Sequence, residues 1–267
     1  MKDRIDPFRL FSLAGALGLA LAVLVGLGLE APVAAGPAAV TPIVVPLPAS
    51  FGAIAVDPAT GNALISSPKN NVITVVSPSG HVVKTIAGVA GAGAMVVVGT
   101  QLYVVSITTG DLLKIDLPSL TQVGPIVTGL TSAKDIAAAG GLLWVEVANG
   151  DLTSDDPDTG AVTASTVQAA GTLLADDPGN ASMFFSGDTY SDPTTISSYV
   201  VSSGTVSRLT SVTFYGQGGE PQLDGFGDLA VSPDGAHFVP AAGGLYKFGS
   251  SGIDVGAVEE PVSREAL

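Results

Sequence analysis

Two aspartates open hydrophobic runs in this chain, Asp135 in KDIAAA and Asp228 in GDLAVS. Helped by water and backbone carbonyls, such carboxylates can hold a hard cation of the Ca²⁺ type. A tight calcium site uses about six to eight oxygens, so two acids offer a weak divalent site or a solvated pair, and no other cofactor is expected. A second set of reactive side chains lies in two polar stretches, SGDTYSDPTT at 186–195 and FYGQGGEPQLDGFG at 214–227. These carry Asp188, Tyr190, Asp192, Tyr215, Gln217, Glu220 and Asp224. Aromatic rings mixed with carboxylates and amides suit a sugar or peptide ligand, whereas the plainer reading is a solvated insertion.

Other catalytic chemistry is sparsely represented. His81 and His237 are the only histidines, and they fall at different places in the repeat described below. A histidine metal site or a Ser-His-Asp triad therefore finds no support. There is no G-x-S-x-G, H-E-x-x-H or P-loop pattern, and no cysteine. The run SDDPDTG at 154–160 looks superficially like a calcium loop, but its spacing is wrong and it reads as a hairpin turn. In LLWVEV, Trp144 and Glu146 alternate onto one strand face. The indole suits packing, and a buried Glu146 would need a cationic partner such as Lys114 or Lys134.

The elements that must position these groups are short strands. Five polar turns (SPSG, LPSL, DPDTG, SSG, SSG) end at residues 80, 120, 160, 204 and 252, in steps of 40, 40, 44 and 48. The first unit, 52–88, divides into four β-prone runs, AIAV, ALIS, VITVV and HVVKTI. Asp-Pro, Thr-Gly and Gly-Asn punctuate them, because Pro presets φ while Gly and Asn accept positive φ. A period near 40 made of four short strands and no helix predicts an all-β fold, a β-propeller of about five four-stranded blades. The later, longer steps locate insertions at 186–195 and 214–227. Links between blades and turns between second and third strands should share one face, around the channel mouth. Asp135 and Asp228 would open inner strands there.

The strings AVDPATGN, NNVITVVSPSGHVVKTI and AVSPDGAHFV resemble the repeats of YVTN- and NHL-type β-propellers, over roughly 52–258. The Tyr-Val-Thr-Asn string itself is absent, and QLYVVSITTGDLLKID is its nearest relative here. The resemblance implies the fold and little chemistry, since that fold serves many functions.

The net charge of −14 excludes a nucleic-acid partner, whose phosphates such a surface repels. Lys2, Arg4 and Arg9 precede an uncharged stretch at 10–29 and a small-residue segment, APVAAG. Residues 1–35 thus read as a signal peptide cleaved after Ala35, with an uncleaved N-terminal anchor helix as the alternative and the only membrane contact. A Pro/Ala-rich lead-in (36–50) follows, in which 41–48 could supply a closing strand, and then the propeller domain (51–267). The rest of the chain is expected outside the cytoplasm, secreted or in the cell envelope. On the residues alone, the expectation is an exported, non-catalytic scaffold that binds a protein, peptide or glycan through its face loops. The alternative is a propeller enzyme, lactonase- or lyase-like, with a divalent cation at the channel mouth.

Overall fold

A computed structural model describes residues 45–47, 50–169, 171–187, 194–214, 229–232, 237–241, 244–248 and 256–257. All of its strands fall in the compact unit Val44–Leu267. The first unit forms β1 (Ile54–Val56), β2 (Ala63–Ser67), β3 (Val72–Val76) and β4 (Val82–Ala87). The second forms β5 (Ala92–Val98), β6 (Gln101–Ser106), β7 (Leu112–Asp116) and β8 (Thr121–Val127). The third forms β9 (Asp135–Ala139), β10 (Leu142–Glu146), β11 (Asp151–Asp155) and β12 (Val162–Gln168). The fourth forms β13 (Leu173–Asp176), β14 (Met183–Gly187), β15 (Thr194–Ser202) and β16 (Thr205–Phe214). The fifth comprises β17 (Ala230–Val231), β18 (His237–Ala241), β19 (Gly244–Phe248) and β20 (Gly256–Ala257).

Each unit is one four-stranded sheet with its strands paired in chain order, and every pairing is antiparallel. The chain is therefore a β-propeller, as the repeat predicts. The first strands β5, β9 and β13 pack side by side as inner strands, with β1 beside β5 and β17 beside β13. The outer place in the fifth sheet belongs to β20; of the possible closing strand at 41–48, Val45, Pro46 and Leu47 carry no strand and the others lie outside the described residues. The expected signal or anchor at 1–35 also lies outside them.

Turn chemistry explains the boundaries. Asp57 closes an Asx turn, accepting Ala59 N at 3.0 Å and the Thr60 hydroxyl at 2.5 Å. Asp156 does the same for Asp158 N and Thr159 N, at 2.9 and 2.8 Å, so SDDPDTG is the expected hairpin turn.

The core lies between sheets. Blades 1 and 2 meet through Leu64, Ile73, Val75 and Ile86 against Leu102, Val104, Leu113 and Ile115. Blades 2 and 3 meet through Val96, Tyr103, Val105 and Leu112 against Ile136, Leu143 and Val145. Blades 3 and 4 meet through Ala137, Trp144 and Leu152 against Leu174, Phe184, Tyr199 and Val201. Strand alternation gives each sheet two such faces, which is why both faces of the second and third strands are apolar.

Candidate functional site

The links between blades and the second-to-third-strand turns meet on one face. Val89 N donates to Asn71 O, Leu130 N to Gly110 O, Ala148 N to Thr131 O and Ala169 N to Gly150 O, at 2.7 to 3.1 Å. Gly110 is required there: its φ is +70°, and a Cβ would lie 2.1 Å from Leu130 O.

On this mouth face a buried polar group lies near the end of the second strand in each of the first four blades, and in blades 1 and 2 it fastens a neighbouring segment. Ser66 Oγ donates to Gly93 O at 2.8 Å and accepts from Ala53 N at 2.8 Å. Ser106 Oγ donates to Ala90 O at 2.6 Å. Ser186 shares a 3.1 Å hydrogen bond with Tyr199 Oη, which donates to Gln168 O at 3.2 Å.

Blade 3 places a carboxylic acid there instead. Glu146 is fully buried, and its Oε1 accepts from Lys134 Nζ at 3.3 Å. The backbone reinforces the pair, since Lys134 N donates to Glu146 O at 2.9 Å. Oε2 has no hydrogen-bond partner. Burial pushes the Glu146 carboxyl above its ordinary value, and the Lys134 charge and hydrogen bond pull it back in part. The Lys134 side chain is 43 % exposed, and its ammonium ends on the buried acid.

Asp135 directly follows Lys134 and is the register partner of Glu146. Its Oδ1 accepts Ile136 N and its Oδ2 accepts Leu174 N, both at 2.8 Å, so it ties β9 to the inner strand of blade 4. Beneath it, Trp144, Phe184 and Tyr199 stack across the blade interface, with ring centroids 5.6 and 4.8 Å apart. The Trp144 indole N–H donates to Ala139 O at 3.1 Å. This satisfied stack holds β10, and with it Glu146, in place.

Of the candidate ligand- and metal-binding residues named from the sequence, Asp135 is the one among the described residues. Asp228 and the seven loop residues Asp188, Tyr190, Asp192, Tyr215, Gln217, Glu220 and Asp224 lie outside the described residues. The partner of Glu146 is Lys134; Lys114 instead lies over the Tyr103 ring, 5.7 Å from its centroid. Sequence reasoning missed Lys134 as a group of the mouth. The signal was available: ALISS and LYVVS end in serine, and MFFSG in glycine, where LLWVE ends in glutamate, directly across from Asp135.

The described residues alone do not supply a divalent-cation site, and Asp228 lies outside them. Among the described residues no three His, Cys, Asp or Glu side chains gather as ligands. The Asp135 oxygens face amide donors, and Glu146 is beside an ammonium that repels a metal ion.

A different buried acid lies at the other end of blade 3. Asp155, the last residue of β11, is fully buried, and burial pushes its carboxyl up to about 6. Its Oδ1 has no hydrogen-bond partner, and its Oδ2 receives only a 3.4 Å contact from Thr153 Oγ1.

No family model and no curated protein matches this chain. Solved structures do. A gluconolactonase from Xanthomonas campestris is 15 % identical with a TM-score of 0.60, the match covering 79 % of this chain and 76 % of that one. A regucalcin from Agrobacterium tumefaciens, described as a calcium-binding protein, is 13 % identical with a TM-score of 0.56, covering 76 % and 72 %. A virginiamycin B lyase from Staphylococcus aureus is 12 % identical with a TM-score of 0.56, covering 80 % and 71 %.

These neighbours overturn the expectation of a non-catalytic binding scaffold. That expectation rested on missing catalytic motifs, and proteins named for catalysis share this fold. Missing motifs therefore do not separate binders from enzymes within it.

Proposed function

We propose that this chain is a propeller enzyme that opens lactone rings at its mouth face, outside the cytoplasm. The reading draws its reaction class from the gluconolactonase neighbour and its location from the N-terminal segment. The single observation that carries it is the partly exposed Lys134 side chain, whose ammonium is paired with the buried Glu146 carboxyl. The finer repeat type, of the YVTN or NHL kind, belongs to the same proposal.

In this reading Lys134 is the group that touches substrate. Its ammonium donates a hydrogen bond to the lactone carbonyl oxygen and steadies the negative charge that develops there. Water adds to the carbonyl carbon, the ring C–O bond breaks, and the proton released by the water ends on the freed alkoxide, giving a hydroxy acid. Glu146 acts through Lys134, holding its side chain in place, and so is a positioning residue.

The test is a pH-stat assay of the folded chain against a panel of γ- and δ-lactones, repeated with EDTA and with added Ca²⁺. Lys134→Met should lower kcat by about 100-fold, as for the loss of an oxyanion donor. Glu146→Gln should lower kcat by about 10-fold with KM little changed, since the ammonium loses the carboxylate that holds it in place. The proposal fails if no lactone is opened, or if a folded Lys134→Met retains full activity. Loss of activity in EDTA, restored by Ca²⁺, would instead place the chemistry on a metal ion.

A further inference from the structure

The mouth turn of blade 1, Lys69-Asn70-Asn71, is polar, and that of blade 3, Ala148-Asn149-Gly150, has no large apolar residue. Blade 2 differs, since the turn after β6 begins with Ile107, which is 53 % exposed. Phe51, just ahead of β1 on the same face, is 65 % exposed.

These side chains are held by built structure. Ser67 Oγ donates to Ser50 O, and Gly52 N donates to Ser66 O at 2.8 Å, which fixes the backbone on both sides of Phe51. Ser66 then reaches Gly93 O at 2.8 Å. Gly93 is where Ile107 lies down: a Cβ at that position would sit 2.6 Å from Ile107 Cγ2. Phe51 and Ile107 therefore flank one fastened strip, Gly52–Ser66–Gly93.

The strip is continuous with the proposed reactive groups. Ile107 N donates to Gly91 O, Leu130 N to Gly110 O within the same turn, and Ala148 N to Thr131 O. That chain of bonds runs from the Ile107 turn, through the link that ends in Lys134, to the segment following Glu146.

We infer that the mouth of blades 1 and 2, at Phe51 and Ile107, is an apolar shelf that receives the alkyl or aryl substituent of a lactone whose carbonyl lies at Lys134. This inference rests on the lactone-opening reading and names its substrate class. Leaving a phenylalanine and an isoleucine in water is unfavourable, and covering them with an apolar substituent recovers that cost. The polar turn of blade 1 and the turn of blade 3, which has no large apolar residue, then bracket the shelf.

The experiment measures kcat/KM for γ-lactones carrying methyl, butyl, hexyl and decyl substituents, alongside a sugar δ-lactone. It also measures binding of the decyl γ-lactam, which is not opened, by calorimetry. Burial of each methylene is expected to raise kcat/KM about two- to fourfold. Phe51→Ser and Ile107→Ser should flatten that slope, lowering kcat/KM for the decyl lactone far more than for the methyl one. Both variants should weaken lactam binding, about tenfold or more for the two together. A flat slope with Lys134-dependent activity overturns the shelf and leaves the lactonase reading standing. No turnover of any lactone, with lactam binding that needs Phe51 and Ile107, overturns the lactonase reading and keeps the shelf as a binding site. Lactam binding that is absent, or unchanged in both variants, overturns the shelf.

Discussion

The interface between blades 1 and 2 and that between blades 3 and 4 solve one packing problem with different residues. The first is aliphatic, and its mouth end is closed by Ser66 and Ser106, whose hydroxyls are bonded to backbone carbonyls. The second is built on Trp144, Phe184 and Tyr199, and its mouth end holds Glu146 with one carboxylate oxygen unpartnered. A serine suffices to fasten a link, so fastening alone does not require a buried acid. The contrast separates scaffold from candidate chemistry within one repeated sheet.

The comparison breaks most visibly at Trp144. Trp144→Ala removes the end of the aromatic stack and should cost about 3–5 kcal/mol of unfolding free energy, measured by denaturant melts. If Ile73→Ala in the aliphatic interface costs clearly more, the stack is not the stronger clamp.

Blade 3 also carries Asp155, and pH sharpens the contrast there. Its folded-state carboxyl is raised to about 6 by burial, so the folded chain holds a proton that the unfolded chain releases near an ordinary value of roughly 3.9. Stability from this group is complete below the unfolded value and is lost as pH rises through the folded one. The loss should be about 2–3 kcal/mol between pH 4 and pH 7. Asp155→Asn should remove that part of the pH dependence; an unchanged profile would show that Asp155 is not its source.

At the fasteners the expected effects are smaller. Ser106→Ala leaves Ala90 O without its donor and should cost about 1–2 kcal/mol. Glu146→Gln keeps the shape and removes the buried charge, so its melt should change by less than about 1 kcal/mol while activity changes. Equal stability losses in the two variants would make Glu146 a fastener of the serine kind. Tyr199→Phe is the mildest, about 0.5–1.5 kcal/mol, because only the hydroxyl contacts to Ser186 and Gln168 are lost.

The sheets were legible because turn residues and strand alternation are local properties. AVDPATGN gave both ends of the β1–β2 turn, and even the weakly marked third unit folded as its alternation of Leu142, Trp144 and Glu146 implied. The site was legible only in part. That Glu146 needed a cation follows from its shared face with Trp144, but the choice of Lys134 over Lys114 depends on how a link folds back on its own blade. Asp135 shows the deeper limit. Its carboxylate ends on Leu174 N, 39 residues away in the next blade, a contact that no local pattern contains.

The order of strands within each sheet has a consequence for how the chain acquires its structure. Every sheet is made from four consecutive strands, so its pairings join neighbours in sequence, from β1–β2 to β19–β20. Loop closure between such neighbours is entropically cheap and fast. A chain emerging N-terminus first from a ribosome or a secretion pore can therefore complete one sheet before the next appears, each new sheet finding the previous one already waiting as its template.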